Sequence, residues 1–133
     1  LPTLDSSGPT PLWVVTNVGS APVGFHAVIK INSSPGTDLI LYRDPIETTP
    51  QNVMSLGGFA FATNDRVHVN TIDGELDVYV IRGATTINLL SYMSSEYQIV
   101  QWFSLLPGVN KLGIGPPYPE LESFSYTPRY WGI

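Results

Sequence analysis

The sequence predicts an all-β fold, an antiparallel β-sandwich of about eight to ten strands. Short segments of alternating apolar and polar residues recur between turn residues, a spacing typical of sandwiches and barrels. Only 13% of the 133 residues are charged, and the chain contains 12 glycines and 12 prolines, which disfavour long helices. A chain of this length fits a single domain.

The strand predictions rest on a period of two, because successive side chains of a strand point to opposite faces. Segment 25–32 illustrates this alternation, with an apolar face formed by Phe25, Ala27, Ile29 and Ile31. We expect strands over residues 12–17, 25–32, 38–43, 66–71, 76–82, 100–105, 111–114 and 123–126. Segment 87–94 is compatible with either a helical turn or an irregular crossing.

Turn residues define the connections between these strands. Asp73-Gly74 lies between two alternating segments and predicts a β-hairpin, because glycine accepts the positive φ that such a turn needs. Segment 44–52 contains Pro45 and Pro50 and is expected to be a long irregular connection without a helix.

The domain boundaries follow from composition. Residues 1–11 are rich in Pro, Ser, Thr and Gly and are interpreted as a linker, followed by one sandwich domain over residues 12–133. The sequence starts at Leu1 rather than at Met, which favours a C-terminal module of a longer chain.

Composition also excludes several classes of function. The chain has no cysteine, so disulfide scaffolds, Cys-zinc sites and Cys nucleophiles are excluded. Its six basic residues are scattered singly and the net charge is −5, which argues against nucleic acid as a partner. No apolar run approaches the ~20 residues of a membrane span, so we expect no membrane partner.

Candidate catalytic residues are few. His26 and His68 lie in predicted strands without a metal-binding spacing, and ordinary strand histidines are the favoured interpretation. If their strands were neighbours, the two side chains would be able to share a face. The carboxylates of segment 73–77 favour a turn over a metal or acid–base site. We predict no catalytic residue, no metal and no cofactor, and therefore no enzyme.

Aromatic residues are the remaining candidates for ligand binding. Trp13 and Trp102 lie in apolar strands, where a role in the core is favoured over a platform for a sugar ring. Tyr42, at the end of a strand, and Tyr118, between two prolines, are expected to be exposed and to line a shallow ligand or partner surface.

Two short segments predict residues that hold the fold. Pro107-Gly108 predicts a tight turn with a positive φ at Gly108, and the Asn110 side chain is placed to satisfy backbone groups of that turn. Pro128 cannot donate a backbone hydrogen bond, so the last strand should be an edge strand or end there. Arg129, between aromatic residues, can stack or pair with a carboxylate.

Four motifs occur in a fixed order along the chain. They are Thr16-Asn17-Val18-Gly19, the N-T-x-x-G segment at 70–74, the aromatic and L-x-P-G-x-N segment with Trp102, Pro107, Gly108 and Asn110, and the closing segment with Tyr126, Pro128, Arg129, Tyr130, Trp131 and Gly132. Their types and order resemble those of siphophage distal tail proteins, the Dit family. Segment 35–52 departs from the family in being long and Pro-rich.

The resemblance implies a C-terminal sandwich, similar to galectins, jelly rolls and carbohydrate-binding modules, joined to an N-terminal ring-forming domain. It implies a virion protein of the phage tail, whose parent is a homohexameric hub of the distal tail or baseplate. The sandwich would present a platform to receptor-binding components, other tail proteins or a host cell-wall saccharide. The alternative is a stand-alone carbohydrate-binding module.

Overall fold

The computed structural model describes residues 2–6, 8, 11–32, 36–44, 52–72, 74–93, 103–115 and 119–130. Within these residues there are ten strands and one short 3₁₀ helix, Leu90–Tyr92. The strands are β1 (Thr3–Asp5), β2 (Leu12–Asn17), β3 (His26–Lys30), β4 (Asp38–Arg43), β5 (Val53–Gly57), β6 (Arg66–Asn70), β7 (Asp77–Arg82), β8 (Thr85–Asn88), β9 (Gly108–Gly115) and β10 (Glu120–Ser125).

The strands form two antiparallel sheets of five strands each, so the all-β sandwich predicted from the sequence is confirmed. The first sheet has the order β1-β2-β9-β4-β5, and the second has the order β10-β3-β6-β7-β8. The chain passes repeatedly from one sheet to the other, which brings turns from distant parts of the sequence to the same end. Among the described residues, no helix is long and apolar enough to cross a membrane.

The core lies between the two inner faces. The predicted apolar face of segment 25–32 is buried there, as are Val67 and Val80 of the second sheet and Leu112 of the first. Burial of each such side chain contributes about 1.5–3 kcal/mol before entropy costs. Phe25 is fully buried and contacts the rings of Phe103 and Phe124, at centroid distances of 5.5 and 5.1 Å.

Several strand predictions are confirmed. Segments 12–17 and 38–43 are strands with the predicted bounds, and β6 and β7 form the predicted hairpin, with Gly74 at a φ of 82°. The last strand, β10, is an edge strand and ends at Ser125, three residues before Pro128. The helical turn considered for segment 87–94 occurs at Leu90–Tyr92.

Other predictions were wrong. Within the expected linker 1–11, Thr3–Asp5 form an edge strand that pairs with β2. Three residues are too few to show the alternation of apolar and polar side chains that predicts a strand. In the described part of segment 100–105, only Leu105 makes a strand-like contact, a single bridge to Val23. Strand β9 begins at Gly108, where the sequence predicted only a break.

Besides β1, two further strands, β5 and β8, were missed. In β5, Val53 to Leu56 are all buried, so the strand lacks alternation. In β8, three of four residues are exposed, so the strand has no apolar stripe. The structure describes only Asp44 and Asn52 of the predicted irregular connection 44–52; residues 45–51 lie outside the described ranges.

Candidate functional site

The described parts of the four sequence motifs meet at one end of the sandwich, which we call the motif end: residues 16–25, 70–72, 103–110 and 126–130. The ends of β2, β6 and β10 and the starts of β3 and β9 lie there. Residues up to 110 positions apart in sequence are hydrogen-bonded at this end. The motif end is therefore the first candidate for a functional site.

Asn17 of the first motif is buried at the centre of the motif end, with 1% of its surface exposed. Its amide nitrogen donates to the carbonyl oxygens of Ala21 and Leu105, at 3.1 and 3.4 Å. Its side-chain oxygen accepts a hydrogen bond from the backbone nitrogen of Gly19 at 2.9 Å. One amide thus joins the β2–β3 turn to the segment before β9.

Asn110 holds the turn of the L-x-P-G-x-N motif through hydrogen bonds to its backbone. Its side-chain oxygen accepts from the backbone nitrogen of Leu106 at 2.9 Å, and its nitrogen donates to the carbonyls of Leu106 and Gly108 at 2.8 and 3.0 Å. Gly108 has a φ of 90°, as predicted, and Pro107 is exposed at the tip of the turn. The predicted structural role of Asn110 is confirmed.

The N-T-x-x-G motif holds the start of β3. The Thr71 hydroxyl accepts a hydrogen bond from the backbone nitrogen of Phe25 at 2.9 Å, and the Thr71 nitrogen donates to the Phe25 carbonyl at 2.8 Å. Asn70 accepts from the backbone nitrogen of Ile72 and so begins the hairpin turn. A Cβ atom on Gly24 would lie 2.3 Å from the Thr71 carbonyl oxygen, which leaves no room for a side chain.

The closing motif contacts the first motif across the chain. The Tyr126 hydroxyl donates to the Thr16 carbonyl at 2.6 Å, and the Arg129 carbonyl accepts from the backbone nitrogens of Ser20 and Ala21. Pro128 is half-buried, while Arg129 and Tyr130 are exposed. Arg129 therefore contributes to the fold through its backbone, a contact that the sequence did not indicate.

The motif end thus uses its polar side chains to hold turns. Within the described part of the chain, every buried side-chain nitrogen or oxygen has a hydrogen-bond partner. Several apolar side chains remain accessible there: Val18 and Val109 are 63% and 66% exposed, and Leu106 and Tyr130 are also exposed. The motif end can present a contact surface, but its buried amides are already engaged in the fold.

Five of the residues singled out from the sequence fall into two groups. Trp102, Tyr118, Trp131 and Gly132 lie outside the described residues. Tyr42 lies in β4 and is only half-buried, with its ring directly against Gly113 of β9. Tyr42 pairs with Gly113 near the end of β9, whereas the motif end lies at the start of β9. The structure therefore does not bring Tyr42 to the motif end.

A second cluster lies on the outer face of the second sheet, which we call the open face. β3 and β6 are neighbouring strands, so the two histidines do share a face, as the sequence allowed. His26 Nε2 lies 3.0 Å from His68 Nδ1, and the His68 ring stacks on Tyr79 at 4.6 Å with an interplanar angle of 10°. All three side chains are partly exposed.

Electrostatics on the open face act on His68. Burial lowers the pKa of the His68 imidazole, the neighbouring His26 lowers this pKa further, and Glu122 opposes the shift. Glu122 itself accepts a hydrogen bond from Arg66 Nε at 3.0 Å in an exposed ion pair. The net shift favours the uncharged form of the His68 imidazole, whose ring nitrogens can then act as a donor and an acceptor.

A third feature is an apolar groove, the Trp13 groove, with a volume of about 390 Å³. Trp13 packs against the core, the role that the sequence favoured, and also lines this groove. The lining residues are Leu4, Pro11, Trp13, Asn32, Ile114, Pro119 and Glu120. A mostly apolar concavity with a few polar groups is the usual form of a small-ligand site.

The sequence did not indicate the ion pair at the opposite end of the sandwich. Asp65, which is 1% exposed, accepts hydrogen bonds from Arg82 Nε and Nη2 at 2.9 and 2.8 Å. These hydrogen bonds hold the pKa of the Asp65 carboxyl below its usual value, although burial alone would raise it. No group of three or more His, Asp or Glu side chains suited to a metal occurs among the described residues.

Comparison with known proteins adds no relative: no family model, no curated protein and no solved structure matches the chain.

Proposed function

We propose that this chain is a non-enzymatic interaction domain of a bacteriophage distal tail or baseplate hub protein. In this proposal its parent is a homohexamer in the virion, and the sandwich presents a surface to other tail components or to host glycans. The observation that supports it best is the meeting of the four family-like motifs at the motif end. Motifs scattered over distant parts of the molecule would support the resemblance much less.

The contacts at the motif end give the resemblance a physical basis. Each motif supplies a side chain or carbonyl that another part of the chain needs: Asn17 for Leu105, Thr71 for Phe25, and Tyr126 for Thr16. A family that conserves this arrangement would conserve these residue types together. The same contacts leave Val18, Leu106, Val109 and Tyr130 exposed as the apolar surface for a tail partner.

The test of this proposal is the location of the protein. An antibody against the 133-residue chain should label one end of the tail in phage particles from the source, seen by electron microscopy. The reading frame should also encode a further domain of about 100–200 residues and lie among tail genes. A frame that encodes the sandwich alone, away from tail genes, together with unlabelled particles, would refute the proposal.

A second candidate function is saccharide binding, and the Trp13 groove favours it. An indole ring beside Asn32 and Glu120 offers both an apolar face for a sugar ring and polar groups for its hydroxyls. This function is compatible with a tail domain and also with a stand-alone carbohydrate-binding module.

A glycan array with three variants tests this second function. Glu120→Gln and Trp13→Phe should each weaken binding of any sugar that the unmodified chain retains, because both residues line the groove. Tyr42→Ala is the matched control, since Tyr42 packs against Gly113 on another surface. Binding that is lost only with Tyr42→Ala, or no binding to any sugar, would reject the Trp13 groove as the site.

A further inference from the structure

On the open face, the imidazole rings of His26 and His68 lie next to each other. His26 and His68 lie on adjacent central strands, two register positions apart on the same face. The His26 Nε2 and His68 Nδ1 atoms are 3.0 Å apart, a hydrogen-bond distance, so a metal ion can bind both only in the tautomers that carry the proton on the other nitrogen of each ring. Both residues are partly exposed on the outer face of the sheet.

Surrounding groups fix the position of this pair. The His68 ring is stacked on Tyr79, its direct cross-strand partner in β7. Val28 is the direct partner of His68 in β3, and it is 9% exposed although it belongs to the outer face. The neighbouring Glu122 carboxylate interacts electrostatically with His68 and favours a positive charge there. Strands in the middle of a sheet hold such side chains with little freedom of the backbone.

We propose that His26 and His68 together bind a divalent late transition-metal ion, with copper(II) preferred and nickel(II) next. For metal–nitrogen bonds of about 2.0–2.1 Å, a nitrogen separation of 3.0 Å gives an angle at the metal of roughly 90–100°. This is the angle between neighbouring ligands in square-planar and octahedral complexes, the geometries that copper(II) and nickel(II) adopt. Tetrahedral zinc would require the nitrogens to separate to about 3.3–3.4 Å.

The remaining coordination positions belong to water or to groups from a partner surface. The described residues place no third His, Asp or Glu in ligand position. A site of two imidazoles is therefore exchangeable rather than permanently loaded, and it lies on a face where a second molecule can complete it. Copper(II) should bind most tightly, because it stands highest in the general affinity order of divalent metals.

The experiment uses the full 133-residue chain without an affinity tag, titrated with copper(II) and nickel(II). The variants are His26→Gln and His68→Gln, and Ser125→Ala is the control because Ser125 is the exposed neighbour of His26 in β10. We expect each histidine variant to lower the copper affinity at least about tenfold and the control to leave it unchanged. The electron paramagnetic resonance spectrum should show two imidazole nitrogens in the unmodified chain and fewer in each histidine variant.

A second measurement separates metal binding from loss of folding. Nickel(II) should raise the unfolding midpoint of the unmodified chain and of Ser125→Ala, but of neither histidine variant, since only a bound ligand stabilises the folded state in this way. Circular dichroism establishes that the variants are folded. Copper affinity that is the same in all four proteins would overturn the proposal, as would a two-nitrogen spectrum that persists in both histidine variants.

Discussion

The two ends of the sandwich are held by different chemistry. At the motif end, neutral groups such as the amides of Asn17 and Asn110 join turns to one another. At the opposite end, the buried Asp65 carboxylate is held by the Arg82 guanidinium and by the backbone nitrogen of Ala62. The first arrangement does not depend on ionisation, whereas the second does.

This difference shows why the motif residues need not be the binding residues of this chain. Asn, Thr and Gly recur in the motifs because turns need short side chains that reach backbone groups and, at Gly108, a positive φ. The histidine pair and the Trp13 groove lie outside the motif end. We therefore expect substitutions at the motif end to affect stability first and ligand binding only indirectly.

The largest effect is expected for Asn110→Ala. The change removes three hydrogen bonds and leaves backbone groups of Leu106 and Gly108 without their partner, which should lower the free energy of unfolding by about 2–4 kcal/mol. Urea unfolding followed by tryptophan fluorescence measures the loss. A loss below about 0.5 kcal/mol would show that water replaces the amide at no cost, contrary to its 1% exposure.

Gly24→Ala should come next. A Cβ atom there meets the Thr71 carbonyl oxygen at 2.3 Å and the Ile72 Cα at 2.6 Å, and both belong to the backbone, so neither can rotate away. We expect a loss of about 1–3 kcal/mol in the same unfolding experiment. Gly36→Ala is the control, because a Cβ atom at Gly36 meets nothing within 4 Å. Equal stability of the two variants would contradict the close packing of these strands.

The sequence predicted local features well. The hairpin between β6 and β7, the turn at Gly108 and the role of Asn110 all depend on residues within a few positions of one another. Alternation was sufficient for β2 and β4, each with one face in the core. Where that signal was absent, as in the fully buried β5, the strand was missed.

Features that depend on strand order could not be predicted. The histidine pair requires β3 to lie beside β6, and these strands are separated in sequence by β4 and β5 in the other sheet. Asp65 and Arg82 lie 17 residues apart, and neither has a local pattern that marks it as a partner of the other. The Trp13 groove combines residues of β1, β2, β9 and β10.

The contribution of Asp65 to stability should depend on pH, whereas that of Asn110 should not. The pKa of Asp65 is lowered in the folded state, so its ion pair stabilises the fold above the ordinary value of 3.8 and this contribution is lost as the pH falls below 3.8. At neutral pH, Asp65→Asn should be less stable than the unmodified chain, by less than Asn110→Ala. This difference should stay the same from pH 7 to about pH 5 and shrink as the pH falls through 3.8 toward about pH 3.

Asn110→Ala is the comparison that shows whether only the Asp65 end depends on ionisation. Asn110 does not ionise, so the deficit of Asn110→Ala should stay the same over that pH range while the deficit of Asp65→Asn shrinks. Urea midpoints of the three proteins at several pH values measure both. A deficit of Asp65→Asn that is independent of pH would mean that its charge does not stabilise the fold.

Tyr126→Phe should have a smaller effect at the motif end. It removes only the hydroxyl that donates to the Thr16 carbonyl at 2.6 Å and leaves the ring in place against the core. We expect a loss of about 0.5–1.5 kcal/mol in urea unfolding. A deficit as large as that of Asn110→Ala would mean that the closing segment detaches when this hydrogen bond is absent.

The smallest effect on stability is expected for His26→Gln on the open face. His26 is partly exposed and its hydrogen bond to His68 can be replaced by water, so the unfolding free energy should change by less than about 1 kcal/mol. The measurement is the same urea titration, made without added metal. A loss as large as that of Asn110→Ala would make the histidine pair part of the structural framework, and the contrast between the motif end and the open face would fail. A small loss would mean that the fold does not depend on the histidine pair, so that metal binding by the variant can be measured on a folded protein.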